Sequence, residues 1–254
     1  MMRGDMDGGF ASITLNGHAL YVNAHDQRGQ RLLQNGAPFS PVAQALWRDV
    51  LALADWDLIV DIGANYGEML LEIADDFRGQ IVAFEANPAL LPYLRATLAY
   101  RNNVTIEAMA VCEKVGTAQL NIDADWSGAS SLALPRTAGS GNRITALQVP
   151  TTMLDAYFAG SAARRACIKI DVEGVEPFVL LGAQRFLAGL DNYAIMTEIR
   201  HATPAVLQGL ARNWRVFLRE LATGRWVAVD ETSIVARPDG VHGDDAVLLP
   251  LGGP

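Results

Sequence analysis

From Leu58 onward the apolar positions follow two alternating rhythms. Short apolar runs that end at a polar or acidic residue alternate with stretches of helical spacing. Residues 58–62, 80–84, 104–108, 166–170 and 193–197 read as strands of the continuous apolar kind found in a sheet covered on both faces. Between them, residues 66–76, 87–100, 176–187 and 204–211 read as helices. Pro92 falls inside the second of these and, lacking an amide proton, would disturb a turn already begun at Pro88. Residues 116–122 and 144–149 read as extended segments around a flexible region. Near the end, 216–221 and 226–235 are joined through Thr223-Gly224. So short a link suits an antiparallel pair, because a parallel crossover needs roughly a dozen residues or more. The order predicts an α/β fold: a mostly parallel, seven-stranded sheet with helices on both faces and an antiparallel late strand.

Ahead of this region, residues 13–22 alternate around Asn16-Gly17, a hairpin turn signal. Ser40-Pro41 opens a helix whose apolar stripe is Val42, Ala45, Leu46, Val50 and Leu53. Residues 1–10, polar and glycine-rich, read as frayed. Residues 1–55 are therefore expected to be an extension or lid packed on the core, and residues 56–254 the main domain. Tyr21 and Trp47 could brace that lid, with core packing the simpler reading. Residues 126–143, rich in Ser-Gly and Ala-Gly pairs, read as a loop suited to cover a site.

Composition narrows the possibilities. A chain of 254 residues, half of them hydrophobic, can bury one large core. Its net charge of −8 disfavours a nonspecific nucleic-acid surface. No charge-free apolar run is long enough to span a membrane, and no secretory leader follows Met1. Cys112 and Cys167 lack metal-ligand spacing and read as reduced, buried thiols, which implies a cytoplasmic protein. The sequence selects no oligomeric state.

The chemistry starts at LIVDIGANYG, residues 58–67, which resembles the first nucleotide-binding loop of class I S-adenosylmethionine (SAM)-dependent methyltransferases. Gly63 permits a tight turn and Gly67 lets the first turn of the following helix pack without a side chain in the way. Exposed amides at that helix start, beside Ala64 and Asn65, could receive the carboxylate of the methionine portion. Asp61 suits the cationic amino-acid end of the donor, or the loop amides, better than a diphosphate, whose charge it would repel. A full GxGxxG fingerprint is absent. Glu85 follows the next strand, where an acidic side chain can accept both ribose hydroxyls. The same contact serves NAD, so an NAD-linked oxidoreductase stays open here. Asn87 reads first as a cap and second as an organiser of the ribose loop. Ala110, within residues 108–111, reads as a wall for adenine or as ordinary core.

The ordered set VDIGANYG (60–67), VAFEANP (82–88) and KIDVEGVE (169–176) is similar to the FkbM family of SAM-dependent methyltransferases. Ser130-Ser131, residues 152–155 and TEIRH at 197–201 agree with it, and the likeness spans about residues 21–249. Ala86 stands where that family often has proline. The resemblance implies a class I methyltransferase Rossmann-like fold, SAM as cofactor, and O-methylation of a sugar, glycolipid or secondary metabolite. A noncatalytic SAM-binding regulator is the further alternative.

Asp171 and Glu173 follow the strand at 166–170, and Glu198, Arg200 and His201 follow the one at 193–197. Active sites of open sheets collect at such strand ends. Asp171, Glu198 and His201 are the candidates for orienting an acceptor hydroxyl and taking its proton. Helix-start chemistry is the other reading of Glu173 and Glu176. Lys169 reads as a structural partner. Trp126, Ser130, Ser131 and Glu173 are the candidate acceptor contacts, or else part of a solvent-facing loop. Asp171, Glu173, Glu198 and His201 could instead hold a divalent cation, although the metal-free form is preferred.

Overall fold

A computed structural model describes residues 9–133 and 143–252. Of the sequence expectations, residues 1–8 of the frayed terminus and residues 134–142 of the covering loop lie outside the described residues.

The N-terminal segment folds first into β1 (Phe10–Leu15) and β2 (His18–Asn23), an antiparallel hairpin. Its turn is Asn16-Gly17, both at positive φ (49° and 84°), the backbone a tight two-residue hairpin requires. Two helices follow, α1 (Gln27–Asn35) and α2 (Pro41–Leu51). Asp26 caps the first, accepting from the Gly29 amide, and Ser40 caps the second, accepting from Ala43. On α2 the buried face is Gln44, Leu46, Trp47 and Val50, while Leu53 beyond it is exposed. Trp47 is a core residue with no exposed surface.

The main sheet begins with β3 (Leu58–Ile62) and β4 (Gln80–Phe84), continues through α3 (Leu91–Leu98) to β5 (Val104–Glu107), and leaves for a small side sheet. That side sheet is β6 (Ala110–Val111), β7 (Gly116–Asp123) and β8 (Ile144–Thr152), in the order β6-β8-β7. After α4 (Leu154–Tyr157) the chain returns as β9 (Arg165–Ile170), then α5 (Glu176–Leu181) and α6 (Gln184–Ala188), then β10 (Asn192–Glu198). It ends with α7 (Pro204–Asn213), β11 (Arg215–Glu220), β12 (Trp226–Val229), α8 (Ser233–Ala236) and β13 (Val241–Leu249).

The main sheet has eight strands, ordered β12-β11-β13-β10-β9-β3-β4-β5. β10, β9, β3, β4 and β5 run parallel. β13 runs antiparallel to both β10 and β11, and β12 runs antiparallel to β11. This is the expected α/β fold of class I methyltransferase type, with two corrections. The eighth strand is β13, antiparallel inside the sheet, which the sequence reading does not include, and the strand expected over 226–235 stops at Val229 as β12 and gives way to α8.

Alternate residues of each strand feed two cores. Leu58, Val60, Ile62, Ile168 and Ile170 face α4 to α7. Ile59, Ile81, Cys167 and Met196 face α2 and α3. Helices thus cover both faces, and neither face of β3 meets water. Cys112 and Cys167 are both free and buried.

Three helix expectations are corrected. Residues 66–76 form turns around a single 3₁₀ turn, Met69–Glu72, instead of a helix. The carbonyls a helix would need are claimed from outside: Trp47 Nε1 donates to Met69 O at 3.1 Å, Asn16 Nδ2 to Leu71 O at 3.2 Å, and Arg101 to Ile73 and Ala74. The helix expected over 87–100 starts only at Leu91, so Pro92 sits in its first turn, where a missing amide proton costs nothing. The helix over 176–187 is broken into α5 and α6 at Gly182, where a Cβ would meet the Cys112 carbonyl at 2.3 Å.

Candidate active site

The carboxyl ends of β3, β4, β9 and β10 open on one cavity of about 530 Å³, a size that suits a small-molecule ligand. Its floor is the turn after β3. Gly63 and Ala64 both donate their amides to the Phe84 carbonyl at 3.0 Å, which pins the turn to β4. Gly63 has φ +83°, and a Cβ there would stand 1.9 Å from the Asp171 carbonyl oxygen, so the residue is required as much by the neighbouring strand end as by any ligand. Gly67, at φ +85°, lies away from the cavity lining, where a Cβ would strike Leu94 of α3 at 2.8 Å. Asn65 adopts φ 51° and lines the cavity.

Glu85 lines the cavity from the end of β4. Its two oxygens accept the amides of Asn65 at 2.8 Å and Asn87 at 2.7 Å. Burial, supported by the nearby Asp61 charge, outweighs those two hydrogen bonds and pushes the carboxyl up to about 7. Asn87 is buried and acts as a turn cap, its side chain accepting from the Ala89 amide. Ala110 lines the cavity together with Ala86, Met109, Leu120 and Leu132, an apolar wall suited to a flat heterocycle.

Asp61 is 1% exposed and does not line the cavity. It lies directly across from Lys169 in the β3–β9 register, with Lys169 Nζ 3.5 Å from Oδ1 and 3.2 Å from Asp171 Oδ2. Neither Asp61 oxygen has a hydrogen-bond partner among the described residues, and burial raises its carboxyl despite the Lys169 charge. Lys169 is thus the structural partner expected. Burial would depress its ammonium, but the carboxylates of Asp171 and then Asp61 hold it above the usual lysine range. Asp171 reaches the cavity wall with its side chain 41% exposed. Desolvation acts to raise it, and the Lys169 charge, helped by Arg28 and Arg200, keeps it below the ordinary aspartate value.

Glu198, at the end of β10, is 8% exposed and lines the cavity. Burial, then the charges of Asp171, Glu173 and Glu176, push it up to about 9. Glu173 also lines the cavity, and His201 Nε2 stands 3.6 Å from its Oε2 just outside the lining. Carboxylate and imidazole atoms of Glu173, Glu198 and His201 fall within 4.8 Å of one another.

Trp126, Ser130 and Ser131 all line the cavity. Trp126 packs edge-on against Phe39 with the Arg31 guanidinium over its ring. Ser131 Oγ donates to the Glu173 carbonyl at 2.8 Å, tying this loop to the turn after β9. The Ser130 hydroxyl has no hydrogen-bond partner among the described residues.

Several site residues lie outside the sequence expectations. Asp26 accepts from the Tyr66 hydroxyl (2.7 Å), the Ser127 hydroxyl (2.7 Å) and the Ser127 amide (2.9 Å), joining the N-terminal segment, the glycine turn and the Trp126 loop. Arg28, Arg31 and Phe39 line the cavity from the same segment, and Asp244 and Asp245 line it from β13. The acidic pair ahead of the apolar residues 246–249 was a usable signal for β13; the Asp26 contacts, 40 and 101 positions apart, left none.

A model of the FkbM methyltransferase domain matches residues 61–222, the span from the end of β3 past β11. The chain belongs to the FkbM methyltransferase family. It is accordingly a SAM-dependent methyltransferase, and its cofactor is SAM in place of a nicotinamide. No curated protein matches the chain. Among solved structures it is similar to a methyltransferase from Geobacter sulfurreducens (10% identity, 88% of this chain and 87% of that one, TM-score 0.47). It is also similar to a precorrin 8W decarboxylase from Methanobacterium thermoautotrophicum (14% identity, 84% and 91%, TM-score 0.44). A third likeness is to a putative caffeoyl-CoA O-methyltransferase from Staphylococcus aureus (10% identity, 87% and 89%, TM-score 0.44). Among the described residues no helix is long and apolar enough to cross a membrane.

Proposed function

We propose that this FkbM-family enzyme methylates a hydroxyl oxygen on a sugar, glycolipid or hydroxylated secondary metabolite. The observation that carries the reading is that one cavity is lined both by the glycine turn, Glu85 and Ala110 and by the three carboxylates Asp171, Glu173 and Glu198, with His201 at its edge. Gly63, Ala64, Asn65, Glu85 and Ala110 take the donor, with Gly67 packing the turn and Asn87 fixing the loop that holds Glu85, and the carboxylates take the acceptor. Carboxylates accept hydrogen bonds from neighbouring hydroxyls of a polyol, and an indole such as Trp126 offers a face to a sugar ring. The Ser130 hydroxyl, without a hydrogen-bond partner among the described residues, and the anchored Ser131 complete the acceptor wall. Asp61 acts from beneath, through Lys169.

Methyl transfer then needs only alignment and one proton. The hydroxyl oxygen attacks the sulfonium methyl carbon, the carbon–sulfur bond breaks, and S-adenosylhomocysteine leaves with the electron pair. Asp171, Glu198 and His201 orient the hydroxyl, and one of them receives its proton. Glu198, pushed up to about 9, is protonated at neutral pH and therefore donates to an acceptor oxygen, which leaves His201 the better base. Residues 1–55 serve as the brace or lid through Asp26, and residues 56–254 bind SAM. The two free thiols support a cytoplasmic location. The test is a panel of hydroxylated sugars, glycolipids and natural products with SAM, read as S-adenosylhomocysteine release and product mass. His201→Ala should lower kcat at least about tenfold with SAM affinity nearly unchanged. Equal turnover in that variant removes the base assignment, and transfer to amines alone removes the O-methylation reading.

A further inference from the structure

We infer that Glu173, Glu198 and His201 form a binding site for one divalent cation of the Mn²⁺ or Zn²⁺ class. Each residue brings one ligand atom, and these atoms lie within 4.8 Å of one another. His201 Nε2 and Glu173 Oε2 are already at 3.6 Å. Ligands around a six-coordinate ion of this size sit roughly 3–4.2 Å apart, so side-chain adjustments of under an ångström would close the site.

An independent observation points the same way. Glu198 is more than nine-tenths buried, yet its Oε2 has no hydrogen-bond partner among the described residues. Its Oε1 lies 3.8 Å from Arg200 Nε, beyond hydrogen-bond reach. Arg200 spends its short contact on Asp244 at 2.8 Å, and Lys169 is shared between Asp61 and Asp171. A buried carboxylate oxygen so placed costs free energy unless a proton or a cation meets it.

The donor set decides the class. Two carboxylates and one imidazole suit Mn²⁺ or Zn²⁺, whereas Ca²⁺ and Mg²⁺ favour all-oxygen surroundings. Two carboxylate charges also balance a divalent ion. Glu173 and Glu198 line the cavity, so the open coordination positions face the acceptor side, where a bound ion would acidify a hydroxyl. That use rests on the O-methylation reading above; cation binding itself does not. With the ion in place, His201 acts as a ligand.

Metal-stripped protein titrated with Mn²⁺ alone, followed by electron paramagnetic resonance and calorimetry, tests the site without any acceptor. The expected result is one Mn²⁺ per chain, weakened more than roughly tenfold by Glu198→Gln and by His201→Ala, since losing even an outer partner of a metal ligand costs about 10–100-fold. His201→Asp should restore binding and shift preference towards Mg²⁺. S-adenosylhomocysteine binding to the His201→Ala protein serves as the control for folding, because His201 does not line the cavity. No binding at about millimolar Mn²⁺, or Mn²⁺ affinity that both variants leave intact, overturns the site. Lost Mn²⁺ binding with methyl transfer intact in metal-free protein rejects the metal's catalytic use; bound Mn²⁺ without O-methylation rejects the acceptor reading alone.

Discussion

Replacing Glu85 with glutamine separates donor binding from fold. Each Glu85 oxygen holds one backbone amide, from Asn65 or Asn87, and has a second lone pair for a ribose hydroxyl. Hydrogen bonds to a charged group are worth about 1.5–3 kcal/mol each, so two ribose contacts amount to roughly 3–6 kcal/mol. Glutamine keeps one carbonyl oxygen but turns an NH₂ towards the other amide, and that donor-against-donor contact costs about 1–3 kcal/mol of stability. Losing one ribose contact and weakening the other to a neutral bond, at least about 2 kcal/mol in all, corresponds to a Kd about thirtyfold weaker. The proton adds a second signature. Glu85 is raised to about 7 in the folded protein, so below that pH the carboxyl must lose a proton before it can accept both hydroxyls. Wild-type affinity for S-adenosylhomocysteine should therefore fall about tenfold per pH unit below 7 and level off above, whereas Glu85→Gln should be flat. Stability of the ligand-free protein takes the opposite course. The native state holds a proton that the unfolded chain has already released, so stability declines as pH rises from the ordinary glutamate value of 4.5 through about 7. Calorimetry from about pH 4.5 to 8 measures both. A glutamine variant that binds within about threefold of wild type, or a flat wild-type profile, refutes the ribose contact.

Lys169→Met should cost about 3–5 kcal/mol in urea unfolding, because it leaves Asp61 buried with no counter-charge. The raised Asp61 carboxyl then takes up a proton in the native state, so the variant should regain stability on acidification; a pH-independent deficit would contradict the account. Gly63→Ala should destabilise by more than about 3 kcal/mol, since its Cβ meets the Asp171 carbonyl at 1.9 Å at positive φ, and a folded variant with wild-type Tm would show that the turn is looser than described. Asp26→Ala removes the acceptor for Tyr66, Ser127 and the Gly29 amide and should cost about 3 kcal/mol, with early proteolytic cleavage of the N-terminal segment; a loss under about 1 kcal/mol would deny it the joining role.

The strands that line the cavity were legible because their chemistry is local. β3, β4, β9 and β10 are largely apolar and mostly buried, and each carries an acidic residue near or just past its carboxyl end. β13 was missed because only its second half is apolar; its first half, carrying Asp244 and Asp245, belongs to the cavity and reads as loop. The 66–76 helix failed for a nonlocal reason, since Trp47, Asn16 and Arg101 take the carbonyls it would need. Asp61 was placed at the right strand end but with the wrong neighbour. Its position in register with Lys169 makes it the lower member of a buried charge stack, a relation that becomes visible only when β3 and β9 lie side by side.

The placing of β13 between β10 and β11 has a consequence for how the enzyme is made. A ribosome delivers β10 and β11 well before residues 241–249, and until then each carries a bare edge towards a partner not yet synthesised. Glu198 likewise waits for Asp245, its cross-strand neighbour, before its surroundings are complete. Translation that stops short of Val241 would therefore yield a sheet with a gap between β10 and β11, prone to recruit a strand from another molecule, and a pocket without Asp244 and Asp245.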